Sequence, residues 1–209
     1  MNKKDKVLEI AYKNNGILLT KQITDAGIYR SALQELEAEG KIIRVQHGVY
    51  VTSDGYVDDF FLLQHRFPKG IYSHETALYL LGYSDRAPLK IVMTFPQGQS
   101  STRMKKAHIR PVMISNNYEI GKTIINRNGT DISVYTIERT LVDLLKPRYD
   151  TDMEQLVPAL KRYANSTEKD VNKLFRYAKL FGVEKKMNDY MGVLLLSLIH
   201  ISEPTRHAQ

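Results

Sequence analysis

The chain has 209 residues, a formal net charge of +7 and no cysteine. This length allows one large domain or two small ones, and the absence of cysteine excludes disulfides and thiolate metal sites. No apolar run approaches the roughly 18 residues of a membrane span, and the charged start MNKKDK is unlike a secretory signal. We therefore expect a cytoplasmic protein without a membrane segment.

The positive charge makes an anionic partner plausible, but it is unevenly distributed. Residues 1–56 hold eight Lys/Arg against seven Asp/Glu, so the excess lies in the remainder of the chain. A DNA-binding prediction for the N-terminal part must therefore depend on the pattern and placement of its residues.

Three helices are predicted within the first 40 residues. Apolar residues at helical spacing predict the first helix at residues 4–14. Thr20 is the expected N-cap of a short second helix. A third helix follows at about residues 29–39, with Leu33 and Leu36 on its buried face.

Two β-prone runs follow the third helix, KIIRV and GVYV, and Gly48 lies in the turn between them. Glycine adopts the positive φ of a tight hairpin turn at little cost. A two-stranded ribbon is marginal alone, so its apolar side is expected to pack on the helices. Three helices with such a hairpin form a winged helix-turn-helix, predicted for residues 1–52.

In this arrangement the N-terminal residues of the third helix enter the major groove, and the hairpin contacts phosphate or the minor groove. The predicted DNA-binding residues are polar, aromatic or basic side chains at these positions: Tyr29, Arg30, Ser31 and Gln34 on the helix, and Lys41, Arg44 and His47 on the hairpin. Winged helices also serve as protein-docking modules. Glu35, Glu37 and Glu39 make the rest of this helix acidic, which suits either function.

Residues 53–59 are polar, contain a glycine and are predicted to link the winged helix to a second domain at 60–195. Its predicted helices lie at 60–67, 70–85, 137–145, 153–164 and 168–183, and its strands at 90–96, 107–115, 121–129 and 130–136. Ser73 is the expected N-cap of the second of these helices. The fold class is therefore α+β, a winged helix-turn-helix followed by a small α+β domain.

The second domain carries a loop, predicted at residues 97–110, with four cations in and just after it. This secondary basic patch consists of Arg103, Lys105, Lys106 and Arg110. Such a charge cluster has little structural use, and it suits contact with DNA backbone or with an anionic RNA or protein partner.

No enzyme motif is present, so we expect neither catalysis nor a cofactor. The histidines lack metal-ligand spacing, and no metal site is predicted. His74 and Glu75 beside a helix start are interpreted as capping or contact residues. Arg139 and Asp143, four apart, are expected to form a local ion pair.

The last segment, from Leu196 onward, differs from the rest of the chain. LSLIHISEPTR can be back-translated into the transposon-end adapter used to prepare sequencing libraries. Residues 196–209 are therefore interpreted as a non-native tail and excluded from the fold prediction. The natural protein is expected either to end near Leu195 or to continue with other residues.

Three segments, in this order, carry a family resemblance: GIYRSALQELEAEGKIIRVQHGVYV, GIYSHETALYLLGYSDRAPLKIVMTFP and ISVYTIERTLVDLL. They resemble the AbiEi antitoxins, which join a winged-helix DNA binder to an antitoxin domain. The resemblance runs over about residues 4–195, and SHETALYLLG and ERTLVDLL are its most specific parts.

The resemblance implies an antitoxin of a type IV toxin–antitoxin system, linked to abortive phage infection. It implies that the protein represses its own operon by binding inverted repeats in the promoter. It also implies a nucleotidyltransferase-like AbiEii toxin as functional partner, which the antitoxin need not contact directly. The DNA-contacting positions that it implies are Tyr29, Arg30, Ser31, Gln34, Arg44 and His47. Cooperative self-association on DNA is expected. The alternative is an antitoxin that binds its toxin directly and uses the winged helix for docking.

Overall fold

The computed structural model describes residues 2–149 and 151–202. The chain forms two compact units. The first unit contains residues 1–68 together with 124–132, and the second contains residues 69–123 and 133–209.

The first unit has the element order of a winged helix-turn-helix, followed by one more helix. Its elements are α1 (Lys3–Lys13), β1 (Ile17–Leu19), α2 (Thr20–Asp25), α3 (Ser31–Ala38), β2 (Ile42–Gln46), β3 (Val49–Thr52) and α4 (Asp59–Arg66). The strands pair antiparallel in the order β1-β3-β2. The predicted hairpin thus gains a third strand, which stabilises it beyond an isolated ribbon.

The core of this winged helix is apolar and draws on all three of its helices. Val7 from α1, Ile23 from α2, and Leu33 and Leu36 from α3 are at most 1% exposed, as is Ile42 from β2. Each such side chain contributes about 1.5–3 kcal/mol on burial. The predicted buried face of the third helix is confirmed.

Two details of this region differ from the sequence-based expectations. Thr20 is the first residue of α2 and not its N-cap. The preceding Leu19 donates its backbone N–H to Gln22 Oε1 at 3.0 Å, so a glutamine side chain supplies the local bond. The third helix begins at Ser31, two residues later than predicted, because Arg30 occupies the N-cap position.

The wing turns at His47 and Gly48. Gly48 has φ +79°, as its place in the turn predicted. In the pairing of β2 with β3, the register shifts by one residue between Arg44 and Gln46, which leaves Val45 as a bulge in β2. A bulge increases the local twist of the strand, and it lies directly before the turn.

Residues 53–68 and 124–132 complete the first unit. Asp58, 4% exposed, caps α4 by accepting the backbone N–H of Phe60 at 2.8 Å. Its Oδ2 accepts from Arg127 Nε at 2.7 Å and Asn128 Nδ2 at 3.1 Å. The helix predicted at 60–67 is present as α4, which has no buried residue, whereas Phe67 directly after it is buried. The compact unit extends beyond the predicted linker at 53–59, and the functional domain boundary stays a prediction.

The second unit combines a mixed sheet with a helical layer. Its elements are β4 (Ile71–Tyr72), α5 (His74–Leu80), β5 (Ile91–Pro96), α6 (Ser101–Lys106), β6 (Ile109–Ile114), α7 (Ile137–Leu144), a 3₁₀ turn (Pro147–Tyr149), α8 (Met153–Asn165), α9 (Val171–Leu180) and α10 (Glu184–Ser202). The hairpin strands β7 (Lys122–Arg127) and β8 (Thr130–Tyr135) have residues in both units.

The sheet order is β6-β5-β4-β8-β7. Strand β4 is antiparallel to β5 and parallel to β8, and β5 is parallel to β6 with α6 in the connection. The four predicted strands are confirmed. Two elements differ: β4 occupies the start of the helix predicted at 70–85, and α6 lies within the predicted loop at 97–110.

Helices α5 and α7 to α10 share one apolar cluster, which includes Leu78, Leu141, Leu160 and Leu174. The predicted helices at 137–145, 153–164 and 168–183 are confirmed within a few residues. Ser73 stands at the N-cap of α5, as expected, but its side chain makes no capping bond. The observed class is the predicted α+β.

The C-terminal helix α10 includes the first residues of the segment interpreted as a non-native tail, 196–209, of which 203–209 lie outside the described residues. The foreign origin of that segment stays a prediction. In the described ranges, no helix combines the length and apolar character needed to cross a bilayer.

Candidate nucleic-acid interface

The helix-turn-helix consists of α2 and α3, joined by residues 26–30. Gly27 has φ +70°, which ends α2, and Ile28 is buried beneath the turn. The chain is thus turned so that Arg30 lies at the start of α3. All seven predicted DNA-binding side chains are exposed.

Four of the seven lie around one groove of about 370 Å³ between α2, α3 and the wing. These four are Arg30 and Gln34 of α3, and Arg44 and His47 of the wing. They come from segments up to 17 residues apart, so only the fold brings them together. Hydrogen-bond donors and acceptors that suit base edges therefore lie beside cations that suit phosphates.

Helix α2 contributes groove residues that the sequence analysis missed: Thr20, Lys21, Thr24 and Asp25. In a helix-turn-helix the first helix crosses the nucleic-acid backbone. The spacing of positions 20, 21 and 24 on one helix face was the available signal. The groove thus has three cations, Lys21, Arg30 and Arg44, against one carboxylate.

Tyr29 and Ser31 flank the start of α3 but do not line the groove. Tyr29 is 73% exposed, and the Lys3 Nζ lies 5.0 Å from its ring centroid. Both residues therefore lie beside the groove, and Tyr29 contacts α1.

Lys41 is at the base of the wing, as predicted, but also outside the groove. Its Nζ pairs with Glu39 Oε2 at 2.9 Å. Lys4 pairs with Glu39 at 2.6 Å and with Glu35 at 2.8 Å. Hydrogen bonds from Lys4 and Lys41 lower the pKa of Glu39 to about 2. Two of the three acidic residues on α3 are thus balanced by lysines from the same unit.

Arg44 and His47 contact each other across the wing. The Arg44 Nη2 lies 3.0 Å from His47 Nδ1, and its guanidinium lies 6.0 Å from the Tyr50 ring centroid. Because arginine only donates, His47 Nδ1 is the acceptor in this contact. The contact holds the guanidinium at the edge of the groove.

Helix α4 supports the wing from the other side. Gln46 Nε2 donates to the Leu62 carbonyl at 3.2 Å and lies 3.4 Å from His65 Nδ1. Burial lowers the pKa of His65, and the charge of His47 lowers it further. The wing is therefore positioned by side-chain contacts near the turn end of β2.

The secondary basic patch is only partly a continuous surface. Arg103, Lys105 and Lys106 are exposed on α6, so a helix presents them where a loop was expected. Arg110 lies on β6, and its Nη2 pairs with Glu75 Oε2 at 2.7 Å. Arg110 is thus partly neutralised, and the three residues of α6 form the exposed part of the patch.

This site lies in a segment that is similar to a known protein family. A family model described as "Transcriptional regulator, AbiEi antitoxin" matches residues 5–52, the segment that holds α1 to β3. No curated protein matches the chain. Among solved structures, the RV2827C protein from Mycobacterium tuberculosis is similar with a TM-score of 0.51 and 18% identity, over 97% of this chain and 80% of that chain.

The structural likeness supports the α+β fold alone. The family model describes a family of transcriptional regulators and antitoxins, and it covers all seven predicted DNA-binding residues. The resemblance predicted from the sequence is thus confirmed over residues 5–52, which match the AbiEi antitoxin family of transcriptional regulators.

Proposed function

We propose that this chain is the non-enzymatic antitoxin of a cytoplasmic type IV toxin–antitoxin system of abortive phage infection, and that it represses its own operon. In this proposal the winged helix, residues 1–52, binds inverted repeats in the promoter, and residues 60–195 carry the antitoxin function. The observation that supports DNA binding most strongly is the convergence of Arg30, Gln34, Arg44 and His47 on one groove.

The charge distribution of the first unit suits this function. None of the described carboxylates forms an ion pair with Lys21 or Arg30, so their charges remain available to phosphates. The acidic end of α3 is balanced by Lys4 and Lys41. The net charge of this region, near zero, therefore underestimates the positive character of the groove.

Size argues for more than one copy on each operator. A single DNA-binding module buries roughly 600–1,000 Å² on DNA, which is modest for a repressor. Two copies on repeated half-sites, with contact between their second domains, would increase affinity through cooperativity. We therefore propose cooperative self-association on double-stranded DNA.

The functional partner in this proposal is a nucleotidyltransferase-like AbiEii toxin. Its neutralisation is assigned to the second domain, and direct contact is not required for a type IV mechanism. The two activities are then separable by substitution.

One observation favours the alternative, in which the winged helix docks a protein and the antitoxin binds its toxin directly. Ile43 is 54% and Val45 41% exposed, and both lie on β2, an edge strand. Exposed apolar side chains on a strand edge suit pairing with another chain. Stable co-purification of the toxin through this edge, lost on Ile43→Lys, would favour docking.

The test is fluorescence anisotropy of the full chain on DNA upstream of its own gene, against a scrambled duplex, over a salt series. We expect tight, sequence-selective binding whose affinity falls steeply with salt, because phosphate contacts release counterions. Weak binding that is equal for both duplexes would contradict the proposal and favour the docking module.

A further inference from the structure

The second unit contains a pocket of about 720 Å³ that the DNA-binding proposal does not use. It is surrounded by residues 113–117 at and after the end of β6, by Arg139 of α7, by residues 146–148, and by residues 180–182 at the end of α9. Its lining includes Arg139, Lys146 and Arg148, together with Asn116, Asn117 and Phe181. Among the described residues, no carboxylate lines it.

Arg139 is fixed in place at 1% exposure. Its Nε donates to Asp143 Oδ2 at 2.8 Å, and its Nη1 donates to the carbonyls of Asn117 and Ile120 at 2.9 and 2.7 Å. The guanidinium carbon lies 4.4 Å from the Tyr135 ring centroid and 3.9 Å from that of Phe181. At this exposure, with Nε and Nη1 already bonded, Arg139 acts on the pocket mainly through its positive charge.

Lys146 shares the carboxylate of Asp143 with Arg139. Its Nζ donates to Asp143 Oδ1 at 2.5 Å and lies 4.2 Å from the Phe181 ring centroid. Arg148 adds a third cation, whose guanidinium carbon lies 4.6 Å from the ring centroid of Tyr149. Asp143 thus pairs with two of these three cations, and it does not itself line the pocket.

The neighbouring acidic residues do not correct this imbalance. Glu138, 4% exposed, pairs with Lys173 at 3.1 Å, and Glu75 pairs with Arg110 at 2.7 Å. Burial lowers the pKa of Lys146, and the charges of Arg139 and Arg148 lower it further, against the opposing effect of Asp143. An anion in the pocket would relieve this repulsion between partly desolvated cations.

We propose that this basic pocket binds a nucleotide through its phosphate groups. Arginine presents planar donors that match phosphate oxygens, and lysine supplies a point charge. The side chains of Asn116 and Asn117 offer donors and acceptors for a sugar or a base edge. The volume lies within the range of small-molecule sites, roughly 300–1,000 Å³.

Isothermal titration of the full chain with ATP, pyrophosphate and adenosine tests this proposal. We expect ATP to bind most tightly, pyrophosphate more weakly and adenosine not measurably. Arg148→Gln should weaken ATP binding about tenfold or more, which corresponds to the loss of a charge-assisted hydrogen bond.

Arg176→Gln is the matched control. Arg176 is also exposed, also belongs to the second unit and also stacks on an adjacent tyrosine, with its guanidinium 5.8 Å from the Tyr177 ring centroid. It does not line the pocket, so its substitution should change ATP affinity less than twofold. Far-ultraviolet circular dichroism of both variants shows whether the fold is retained.

Three results would overturn the assignment. The first is no binding of ATP by the folded wild-type chain, and the second is an equal loss of affinity in Arg148→Gln and Arg176→Gln. The third is pyrophosphate binding at least as tight as that of ATP, which would leave an anion site that does not recognise a nucleoside.

Discussion

At the scale of single residues, the DNA-binding proposal depends most on Arg30. It lies at the N-cap of α3 and at the groove, where an arginine can donate twice to a guanine edge. We expect Arg30→Ala to weaken operator binding by about 1–3 kcal/mol and to reduce the preference over scrambled DNA. Competition anisotropy with the two duplexes measures both changes.

The exposed Arg66 of α4 provides a control for Arg30→Ala, because it belongs to the same unit and does not line the groove. Arg66→Ala should leave the ratio of specific to non-specific binding unchanged. An unaltered ratio for Arg30→Ala would remove Arg30 from the base-reading residues.

Arg44 is predicted to act differently, since it lies on the wing beside His47. Arg44→Ala should weaken binding to operator and scrambled DNA alike, because a phosphate contact does not depend on sequence. The slope of log K against log salt should fall in magnitude by about 0.9, the contribution of one phosphate contact. A loss confined to the operator would instead assign base reading to Arg44.

His74 makes stability depend on pH. It is 1% exposed with φ +53°, its Nδ1 lies 3.0 Å from Ser73 Oγ, and its Nε2 has no hydrogen-bond partner among the described residues. Burial lowers the pKa of His74 to about 4, with Arg110 and Lys146 lowering it and Asp143 and Glu75 opposing them.

Proton uptake by the unfolded chain sets the direction of this pH dependence. Between the unfolded pKa of about 6.5 and the folded value, the unfolded chain binds the proton and the folded chain does not. Stability from the neutral His74 is therefore full above about pH 6.5 and decreases on acidification, by roughly 2 kcal/mol at pH 5. Urea unfolding at pH 7.5 and pH 5 should show this loss, and His74→Asn should show less of it. Equal losses in the two proteins would contradict the prediction.

At the scale of elements, α7 depends on a buried ion pair to hold the loop that follows β6. Arg139→Met would leave Asp143, 2% exposed, with Lys146 alone, and would leave the carbonyls of Asn117 and Ile120 without their donor. Breaking a buried pair from one side costs about 3–5 kcal/mol. We expect Arg139→Met to lower the free energy of unfolding by this amount in urea titrations.

The exposed ion pair between Arg162 of α8 and Asp85 is the control for this buried pair. Its Nη2 lies 3.2 Å from Asp85 Oδ2, with 47% and 89% of the two side chains exposed. Solvent and salt screen such a pair, so Arg162→Met should cost less than about 1 kcal/mol. Similar losses of unfolding free energy in Arg139→Met and Arg162→Met would show that the buried ion pair does not stabilise the fold more than the exposed one.

Hydrophobic spacing and turn residues are sufficient to predict most of these elements. The winged helix, four strands and the later helices follow from periodicity and from Gly48, because these signals are local. The two-residue strand β4 could not be predicted, since its extended form depends on pairing with β5 and β8. Helix α6 also lacks an apolar stripe, because Met104 is its one buried residue.

The candidate site was predictable in part for the same reason. Arg30, Gln34, Arg44 and His47 follow from their positions on the helix and the wing. Lys21 and Thr24 lie three apart on one face of α2, a spacing that the sequence does show. Only the packing of α2 against α3 and the wing places that face on the groove. The ion pair of Lys41 with Glu39 likewise became evident only from side-chain geometry.

At the scale of the whole molecule, the proposed DNA-binding and antitoxin activities are separable. We expect the double variant Arg30→Ala, Arg44→Ala to lose repression of a promoter reporter while still protecting cells from the toxin. Growth with the induced toxin, beside a reporter assay in the same strain, measures both activities. Loss of protection at equal protein abundance would show that neutralisation requires the winged helix.

The path of the chain between its two units has a further consequence. The first unit includes residues 124–132, so the chain leaves this unit after residue 68, returns to it and leaves it again. The returning segment supplies Arg127 and Asn128 to the buried carboxylate of Asp58.

A single crossover consequently cannot exchange the whole first unit between relatives, because its residues lie in two separate segments of the chain. A chimera that replaces only residues 1–68 would place a foreign chain opposite this return segment, and its residue 58 would have to remain compatible with Arg127. Successful hybrids between relatives should therefore inherit both segments from the same parent.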